Sequence, residues 1–204
     1  MSLYILEGPR NSGKTTVVNR LMTAYPKKAV SSIKFHRTTN PPLFMAEFLA
    51  KHYLALIDSR SICVLDRFHL TEFVMRSLDK KVPTSILIPT THMIDTMLHY
   101  CGAITYIIET PVDVRMDRMK LRDLDHRKKE WPDYVELDNA WKTARKMFNK
   151  CKTKVVPGSN EKELDKIVLD IMVEQKSMTR LDTKIPFFAP RIEEEVKGEY
   201  DPTR

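Results

Sequence analysis

Short apolar runs alternate along the chain with longer stretches in which apolar residues recur at helical spacing. The predicted strands cover residues 3–6, 29–35, 62–65, 103–109 and 153–158, and the runs at 3–6 and 62–65 are suited to buried strands. The stretches with helical periodicity cover residues 15–25, 41–59, 70–78, 90–100, 111–123, 134–150 and 160–175. Because strands and helices alternate, the pattern predicts an α/β fold with about five mostly parallel strands and helices on both faces of the sheet.

The apolar periodicity stops at Lys176, where a segment rich in charged residues and proline begins. We therefore expect one domain over residues 1–175 and a partly ordered C-terminal tail over residues 176–204. The tail contains one apolar cluster, whose Phe187 and Phe188 are expected to dock on the domain or on a partner.

Residues 8–15, GPRNSGKT, fit the pattern G-x-x-x-x-G-K-[ST] of a phosphate-binding loop. Gly8 and Gly13 allow backbone N–H groups to converge on phosphate oxygens, because no Cβ obstructs the approach. Lys14 would place a positive charge on the outer phosphates, and the Thr15 hydroxyl is a natural Mg²⁺ ligand. The loop follows a predicted strand and precedes a predicted helix, whose N-terminus adds a partial positive charge.

The third predicted strand ends in Asp66, where a protein with such a loop needs a carboxylate to hold Mg²⁺ directly or through water. Many work-performing ATPases carry a Glu after this Asp to polarise water, but this chain has Arg67, which cannot act as that base. Proteins that read GTP usually carry N-K-x-D, and residues 149–152, NKCK, lack its Asp. A hydrolytic motor and a GTP switch are therefore disfavoured, and phosphoryl transfer is favoured.

A basic segment follows the fourth predicted strand, with Arg115, Arg118 and Arg122 at i, i+3 and i+7 on one predicted helix face. Phosphoryl transfer depends mainly on positioning and on positive charge around the moving group, and a closing segment also excludes water. We therefore interpret residues 115–131 as a basic lid over the site. The alternative is a solvated, salt-bridged helix face.

Composition and charge indicate the class of partner and the cellular compartment. The net charge of +7 and the pI near 9.2 favour an anionic partner, which nucleotides and nucleic acids satisfy equally. No apolar run approaches the ~18 residues of a membrane span, and the first strand begins too early to leave room for a signal peptide. Cys63 and Cys101 lie in apolar surroundings, which predicts buried free thiols in a reducing cytoplasm.

Three motifs occur in an order that resembles the thymidylate kinase and deoxynucleoside kinase group of P-loop kinases. They are E-G-x-x-x-x-G-K-T-T at residues 7–16, Asp-Arg-aromatic at residues 66–68, and a proline followed by R-x-x-x-R at residues 118–122. Residues 153–172 are similar to the group's last strand and helix, and DRFHLTEFV is similar to the Asp-Arg motif of phage-encoded relatives. The resemblance covers residues 1–175, and the phosphate loop is its most specific part.

The resemblance implies an ATP-dependent kinase that uses Mg²⁺. It assigns ATP binding to the loop residues Gly8, Arg10, Asn11, Ser12, Gly13, Lys14, Thr15 and Thr16, and the metal to Thr15 and Asp66. It assigns catalytic roles to Lys14, Asp66, Arg67, Arg118 and Arg122. Of these, Arg67 would clamp the acceptor, while Arg118 and Arg122 would contact the transferred and donor phosphates. Phe44 or Phe48 would stack on the acceptor base.

Two departures from the group's pattern bear on the acceptor. Arg10 occupies the third loop position, where thymidylate kinases usually carry an Asp with which they read the acceptor sugar. After the second predicted strand the chain has Lys34, His36 and Arg37, where those kinases have a carboxylate. This basic trio suits an acceptor that already bears phosphate, and the alternative is a solvated loop.

The favoured function is phosphoryl transfer from ATP to a deoxynucleotide or nucleoside, with a thymidylate-like pyrimidine preferred. One alternative keeps the chemistry but transfers to a hydroxyl in nucleic acid, such as a 5′ end or a hydroxymethylated base. A second alternative is a non-catalytic nucleotide-sensing or DNA-binding protein, although neither a helix-turn-helix nor a stacking platform is evident. The sequence leaves a homodimer open.

Overall fold

Residues 2–25, 30–34, 62–79, 83–122 and 134–182 are described by a computed structural model of the chain. Five parallel strands form one sheet: β1 Ser2–Glu7, β2 Val30–Lys34, β3 Ile62–Asp66, β4 Ile104–Glu109 and β5 Lys152–Pro157. Six helices lie within the described residues: α1 Lys14–Ala24, α2 His69–Asp79, α3 Thr84–Tyr100, α4 Val112–Arg122, α5 Tyr134–Met147 and α6 Glu161–Asp182. The predicted α/β fold with about five parallel strands is confirmed.

β1 lies at the centre of the sheet, whose strand order is β2-β3-β1-β4-β5. All six β1 residues are buried because the strand is covered on both faces, which explains its continuous apolar run. The register pairs Leu6 with Asp66 and Asp66 with Lys34, so the carboxyl ends of β1, β2 and β3 are level. The chain therefore leaves these strands at one edge of the sheet, where parallel sheets bind their ligands.

Helices cover both faces of the sheet. On one face α1 and α6 pack against the strands through side chains such as Leu21 and Ile167. On the other face α2, α3 and α5 contribute Phe73, Ile94 and Trp141. Each buried side chain of this kind stabilises the fold by about 1.5–3 kcal/mol, so the two apolar layers hold the strand ends firmly. No helix in the described parts of the chain is long and apolar enough to cross a membrane.

Two helices are longer than the sequence pattern predicts. α3 begins at Thr84 rather than at residue 90, although it contains Pro89. Leu87, in an early turn of α3, is buried in the core, and this burial offsets the backbone hydrogen bond that Pro89 cannot donate. At the other end of the chain, α6 continues beyond residue 175 to Asp182.

The three cysteines are free thiols in different surroundings. Cys63 is buried in β3, as expected. Cys101 is exposed, which contradicts the expectation, because it lies in the turn that ends α3; Cys151 is buried instead. The predicted helix over residues 41–59 and the tail from residue 183 lie outside the described residues, as does the lid beyond α4.

Candidate active site

The loop between β1 and α1 requires glycine at its two diagnostic positions. Gly8 and Gly13 have φ angles of +135° and +99°, which residues with a side chain rarely adopt. A Cβ on Gly8 would lie 2.6 Å from the Ile108 carbonyl oxygen of β4. A Cβ on Gly13 would lie 2.7 Å from the Leu164 side chain of α6. The close approach of β4 and α6 therefore itself selects glycine at these two positions.

The Lys14 side chain is folded back onto the loop and is only 4% exposed. Its ammonium group donates hydrogen bonds to the carbonyl oxygens of Gly8 at 2.8 Å and Pro9 at 2.6 Å, and to the Ser12 hydroxyl at 3.0 Å. Burial, together with the nearby Arg67 guanidinium, lowers the pKa of Lys14 from 10.5 to about 7. A phosphate at the loop would meet this ammonium group and the positive end of α1.

Thr15, in the first turn of α1, and Asp66, at the end of β3, meet across the site. The Thr15 hydroxyl donates a hydrogen bond of 2.7 Å to Asp66 Oδ2. Asp66 is 2% exposed, and its Oδ1 has no hydrogen-bond partner among the described residues. A buried carboxylate oxygen without a partner is costly, so this pair of oxygen groups suits a hard cation such as Mg²⁺ or its bound water.

The donor set at this position is small. In the described ranges no three His, Cys, Asp or Glu side chains cluster in a way that could hold a metal ion. Mg²⁺ is usually bound by one or two protein groups together with substrate phosphates and water rather than by an all-protein cage. Thr15 and Asp66 therefore fit a Mg²⁺ ion that arrives with phosphate.

The chain turns sharply after β3 at Arg67. Its φ of +76° lies in the left-handed region, which costs about 1–3 kcal/mol for a residue with a side chain. The Arg67 N–H donates a hydrogen bond of 2.9 Å to the Leu6 carbonyl, which holds the corner against β1. The turn leaves the Arg67 guanidinium close enough to Lys14 to lower the pKa of that lysine.

Glu7, the last residue of β1, lies at the same corner, although the sequence predicts no role for it. It is fully buried and accepts hydrogen bonds from the backbone N–H groups of Phe68, Leu70 and Thr71. Burial raises the pKa of the Glu7 carboxyl, and neighbouring His69 opposes that rise. The signal in the sequence is an acidic residue at the end of an otherwise apolar strand.

Arg115 and Arg118 of α4 have different hydrogen-bond partners. The Arg118 guanidinium lies on the phosphate loop and donates hydrogen bonds to the carbonyl oxygens of Asn11 at 3.2 Å and Ser159 at 3.1 Å. Arg115 is 2% exposed, and its Nη2 donates to both carboxylate oxygens of Asp138 at 2.8 and 2.9 Å. Arg115 is therefore held by an acidic partner on α5, although its charge still lies close enough to Lys14 to contribute to the lowered pKa of that lysine; the common lid face stays a prediction.

The remaining predicted site residues are placed as follows. Among the loop residues, Ser12 is buried and Arg10 is exposed, while Thr16 lies in the first turn of α1. Lys34 and Arg122 are the last residues of β2 and α4. The predicted acceptor residues His36, Arg37, Phe44 and Phe48 lie outside the described residues. The structure thus brings Lys14, Thr15, Asp66, Arg67 and Arg118 to one edge of the sheet.

A cavity of about 500 Å³ lies beside the loop, between the end of β4, β5 and α5. Pro9 of the phosphate loop and Trp141 of α5 contribute to its lining. Glu109, at the end of β4, lines the same cavity and forms an ion pair with Arg145 of α5. Its carboxylate is thus engaged on the α5 side and does not join Lys14 and Asp66.

No family model and no curated protein sequence matches the chain. Among solved structures it is similar to polyphosphate kinase 2 from Arthrobacter aurescens TC1, with a TM-score of 0.64 and 15% identity over 87% of this chain and 68% of that chain. A structure described as polyphosphate kinase 2 from Pseudomonas aeruginosa PA01 matches with a TM-score of 0.59 and 13% identity, over 85% of this chain and 37% of that chain.

Thymidylate kinase from Candida albicans is also similar, with a TM-score of 0.51 and 14% identity over 87% of this chain and 92% of that chain. At such identities the likeness concerns the fold and leaves the substrate undecided. The chain therefore has the α/β fold of P-loop kinases, with a phosphate loop and an Asp-Arg corner at the carboxyl edge of its sheet.

Proposed function

We propose that this protein is an ATP- and Mg²⁺-dependent phosphotransferase that transfers the terminal phosphoryl group of ATP to a nucleotide or nucleoside, with a thymidylate-like pyrimidine preferred. The observation that carries the proposal is the contact of 2.7 Å between Thr15 Oγ1 and Asp66 Oδ2. This contact joins the phosphate loop to the acidic end of β3, which is the arrangement that phosphoryl transfer needs around a metal ion.

The loop residues and Asp66 would have different roles in binding ATP and its metal ion. The backbone N–H groups from Arg10 to Thr16 would surround the phosphates, and Lys14 would exchange its bonds within the loop for phosphate oxygens. Thr15 and Asp66 would hold Mg²⁺, which would supply positive charge to neutralise the phosphates. Lys14 is already in place for this exchange, because its present partners are uncharged acceptors of the same loop.

The arginines at the site favour phosphoryl transfer to an acceptor over hydrolysis of ATP. Arg67 directly follows Asp66, so no carboxylate stands there to activate water, and its guanidinium would bind an anionic acceptor instead. Arg118 holds the loop through the Asn11 carbonyl and would contact the donor phosphates. Arg122 remains a proposed phosphate contact.

The acceptor side is proposed from the sequence alone. Lys34, His36 and Arg37 would bind acceptor phosphate, and Phe44 or Phe48 would stack on its base. Two other acceptors stay as candidates. Polyphosphate is included because polyphosphate kinase 2 shares this fold, which by itself does not decide the substrate. A hydroxyl group in nucleic acid is included because the net charge of +7 suits nucleic acids as well as nucleotides.

Incubation with γ-labelled ATP, Mg²⁺ and a panel of acceptors tests the proposal. The panel comprises nucleosides, nucleoside monophosphates, polyphosphate and oligonucleotides, and Lys14→Ala serves as the inactive control. We expect label in a pyrimidine nucleotide or nucleoside. Label that appears only as inorganic phosphate would refute transfer. Label in an oligonucleotide would move the acceptor to nucleic acid, whose binding should weaken steeply with added salt.

A further inference from the structure

Glu7 is a buried carboxylate that the proposed transfer does not use. It ends β1 and has 0% exposure. Its Oε1 accepts hydrogen bonds from the backbone N–H groups of Phe68 and Leu70, both at 3.0 Å. Its Oε2 accepts one from the Thr71 N–H at 3.2 Å and a short one from the Thr71 hydroxyl. Both carboxylate oxygens are therefore fully engaged.

These donors surround the N-terminus of α2, where the first backbone N–H groups have no partner within the helix. A carboxylate satisfies such N–H groups well, because it accepts charge-assisted hydrogen bonds and meets the positive end of the helix dipole. Here the carboxylate comes from a residue 61 to 64 positions earlier in the chain. The bonds therefore tie the end of β1 directly to the start of α2.

The two segments that these hydrogen bonds join, the end of β1 and the start of α2, each adjoin one half of the candidate site. Gly8, which opens the phosphate loop, directly follows Glu7, while Asp66 and Arg67 directly precede the bonded N–H groups. We propose that Glu7 is a positioning residue that holds the phosphate loop in register with the Asp66–Arg67 corner, so that Thr15 and Asp66 meet at the metal position. The inference rests on the proposed function, because it makes Glu7 necessary for Mg²⁺-dependent binding of ATP.

A buried histidine also borders the Glu7 carboxylate. His69 lies between two carboxylates, with Nδ1 3.8 Å from Glu7 Oε1 and Nε2 3.4 Å from Asp95 Oδ1. Asp95 in turn accepts hydrogen bonds from the N–H groups of Lys150 at 2.8 Å and Cys151 at 3.3 Å. Because Glu7, His69 and Asp95 are at most 1% exposed, the Glu7 carboxylate is surrounded by packed protein groups and not by solvent.

The effect of Glu7 reaches the metal position through the strained corner. Arg67 holds a left-handed backbone angle that is unfavourable for a residue with a side chain. The neighbouring bonds, from Arg67 N–H to Leu6 and from Phe68 N–H to Glu7, are what oppose its relaxation. Without the Glu7 carboxylate the corner can relax, and Asp66 Oδ2 then moves away from the Thr15 hydroxyl.

Glu7→Gln tests the inference, because its amide keeps the size of the side chain but turns an NH₂ group towards N–H donors. The matched control is Glu72→Gln, which removes another buried carboxylate, one paired with Arg76 within α2. Amide exchange at Phe68, Leu70 and Thr71 reports on the corner itself. Calorimetric ATP affinity, in Mg²⁺ and in EDTA, reports on the metal position.

In Glu7→Gln we expect faster exchange at these three amides. Mg²⁺ increases the affinity for ATP, and we expect this increase to be about 10- to 100-fold smaller in Glu7→Gln than in the wild type, as for other residues that orient a metal ligand. Affinity in EDTA should change little, and Glu72→Gln should keep the full Mg²⁺ effect. Thr71→Val removes only the hydrogen bond from the Thr71 hydroxyl, so it should show a smaller loss of the Mg²⁺ effect. It replaces Glu7→Gln in this test if Glu7→Gln does not fold.

An unchanged Mg²⁺ effect in a folded Glu7→Gln, or in Thr71→Val if that variant has to serve, would overturn the inference and leave Glu7 as a helix cap. Equal losses in EDTA and in Mg²⁺ would overturn it too, because they would indicate general damage. A wild type that binds MgATP but labels no acceptor would refute the proposed transfer, while the comparison of Mg²⁺ effects would still decide the role of Glu7.

Discussion

Replacing Lys14 by Met should stabilise the ligand-free protein while abolishing phosphoryl transfer. Met keeps the length and flexibility of the side chain but removes an ammonium group that is only 4% exposed. The pKa of Lys14 falls from 10.5 to about 7, and each pH unit corresponds to about 1.4 kcal/mol, so a buried protonated Lys14 costs several kcal/mol. The three loop acceptors lose hydrogen bonds worth about 1 kcal/mol each, so the expected net gain is on the order of 1 kcal/mol.

The sign of the pH dependence follows from the same pKa. Below about pH 7 both the folded and the unfolded chain carry a protonated Lys14, so its unfavourable contribution is constant. Between about pH 7 and pH 10.5 the folded chain releases the proton while the unfolded chain keeps it, so the free energy of unfolding rises with pH. The contribution of Lys14 to this slope reaches about 1.4 kcal/mol per pH unit and should vanish in Lys14→Met.

Urea unfolding of both proteins between about pH 6 and pH 9 measures this difference, because titrating groups distant from Lys14 contribute equally to both slopes. Lys166→Met is the matched control, since Lys166 is exposed on α6 and this variant keeps Lys14. ATP should also be bound with proton uptake above pH 7, since phosphate restores the charge of Lys14; titration calorimetry in two buffers detects this uptake. A slope that persists in Lys14→Met would refute the reasoning.

Three further substitutions address other parts of the site. Asp66→Asn keeps the shape of the side chain but removes its charge, so kcat should fall far more than ATP affinity in EDTA; an unchanged kcat would reduce Asp66 to a strand-end residue. Arg118→Lys keeps the charge but loses the planar fork, so kcat should fall by about 10²-fold with a change in stability of at most about 1 kcal/mol. Bound ATP and acceptor should also protect residues 115–131 from proteolysis, and normal turnover with unchanged cleavage would remove the lid from the mechanism. Gly13→Ala places a Cβ 2.7 Å from an α6 side chain, so the urea midpoint should fall further than in Gly102→Ala, where φ is +66° and no atom lies within 4 Å; equal losses would leave only backbone strain.

The sequence by itself determined the order of the elements and the chemistry at the strand ends. Apolar runs and helical spacing are local signals, and they located the five strands of the described residues; the inner strands β1, β3 and β4 gave the clearest signal because buried parallel strands are largely apolar. Gly8 and Gly13 were recognisable because the loop pattern demands backbone angles that glycine adopts. Asp66 followed from its position after a buried strand, since the carboxyl ends of parallel strands meet at one edge.

Only the tertiary structure decided how the charged groups are paired. The buried position of Lys14, with its lowered pKa, depends on Arg67 and on burial by distant segments. Arg115 shares a spacing with Arg118, but a carboxylate on α5 turns it into the fold. Glu7 bonds to N–H groups 61 to 64 residues away. Such pairings cannot be predicted from hydrophobic periodicity, because they depend on which segments meet when the sheet and its two helical layers assemble.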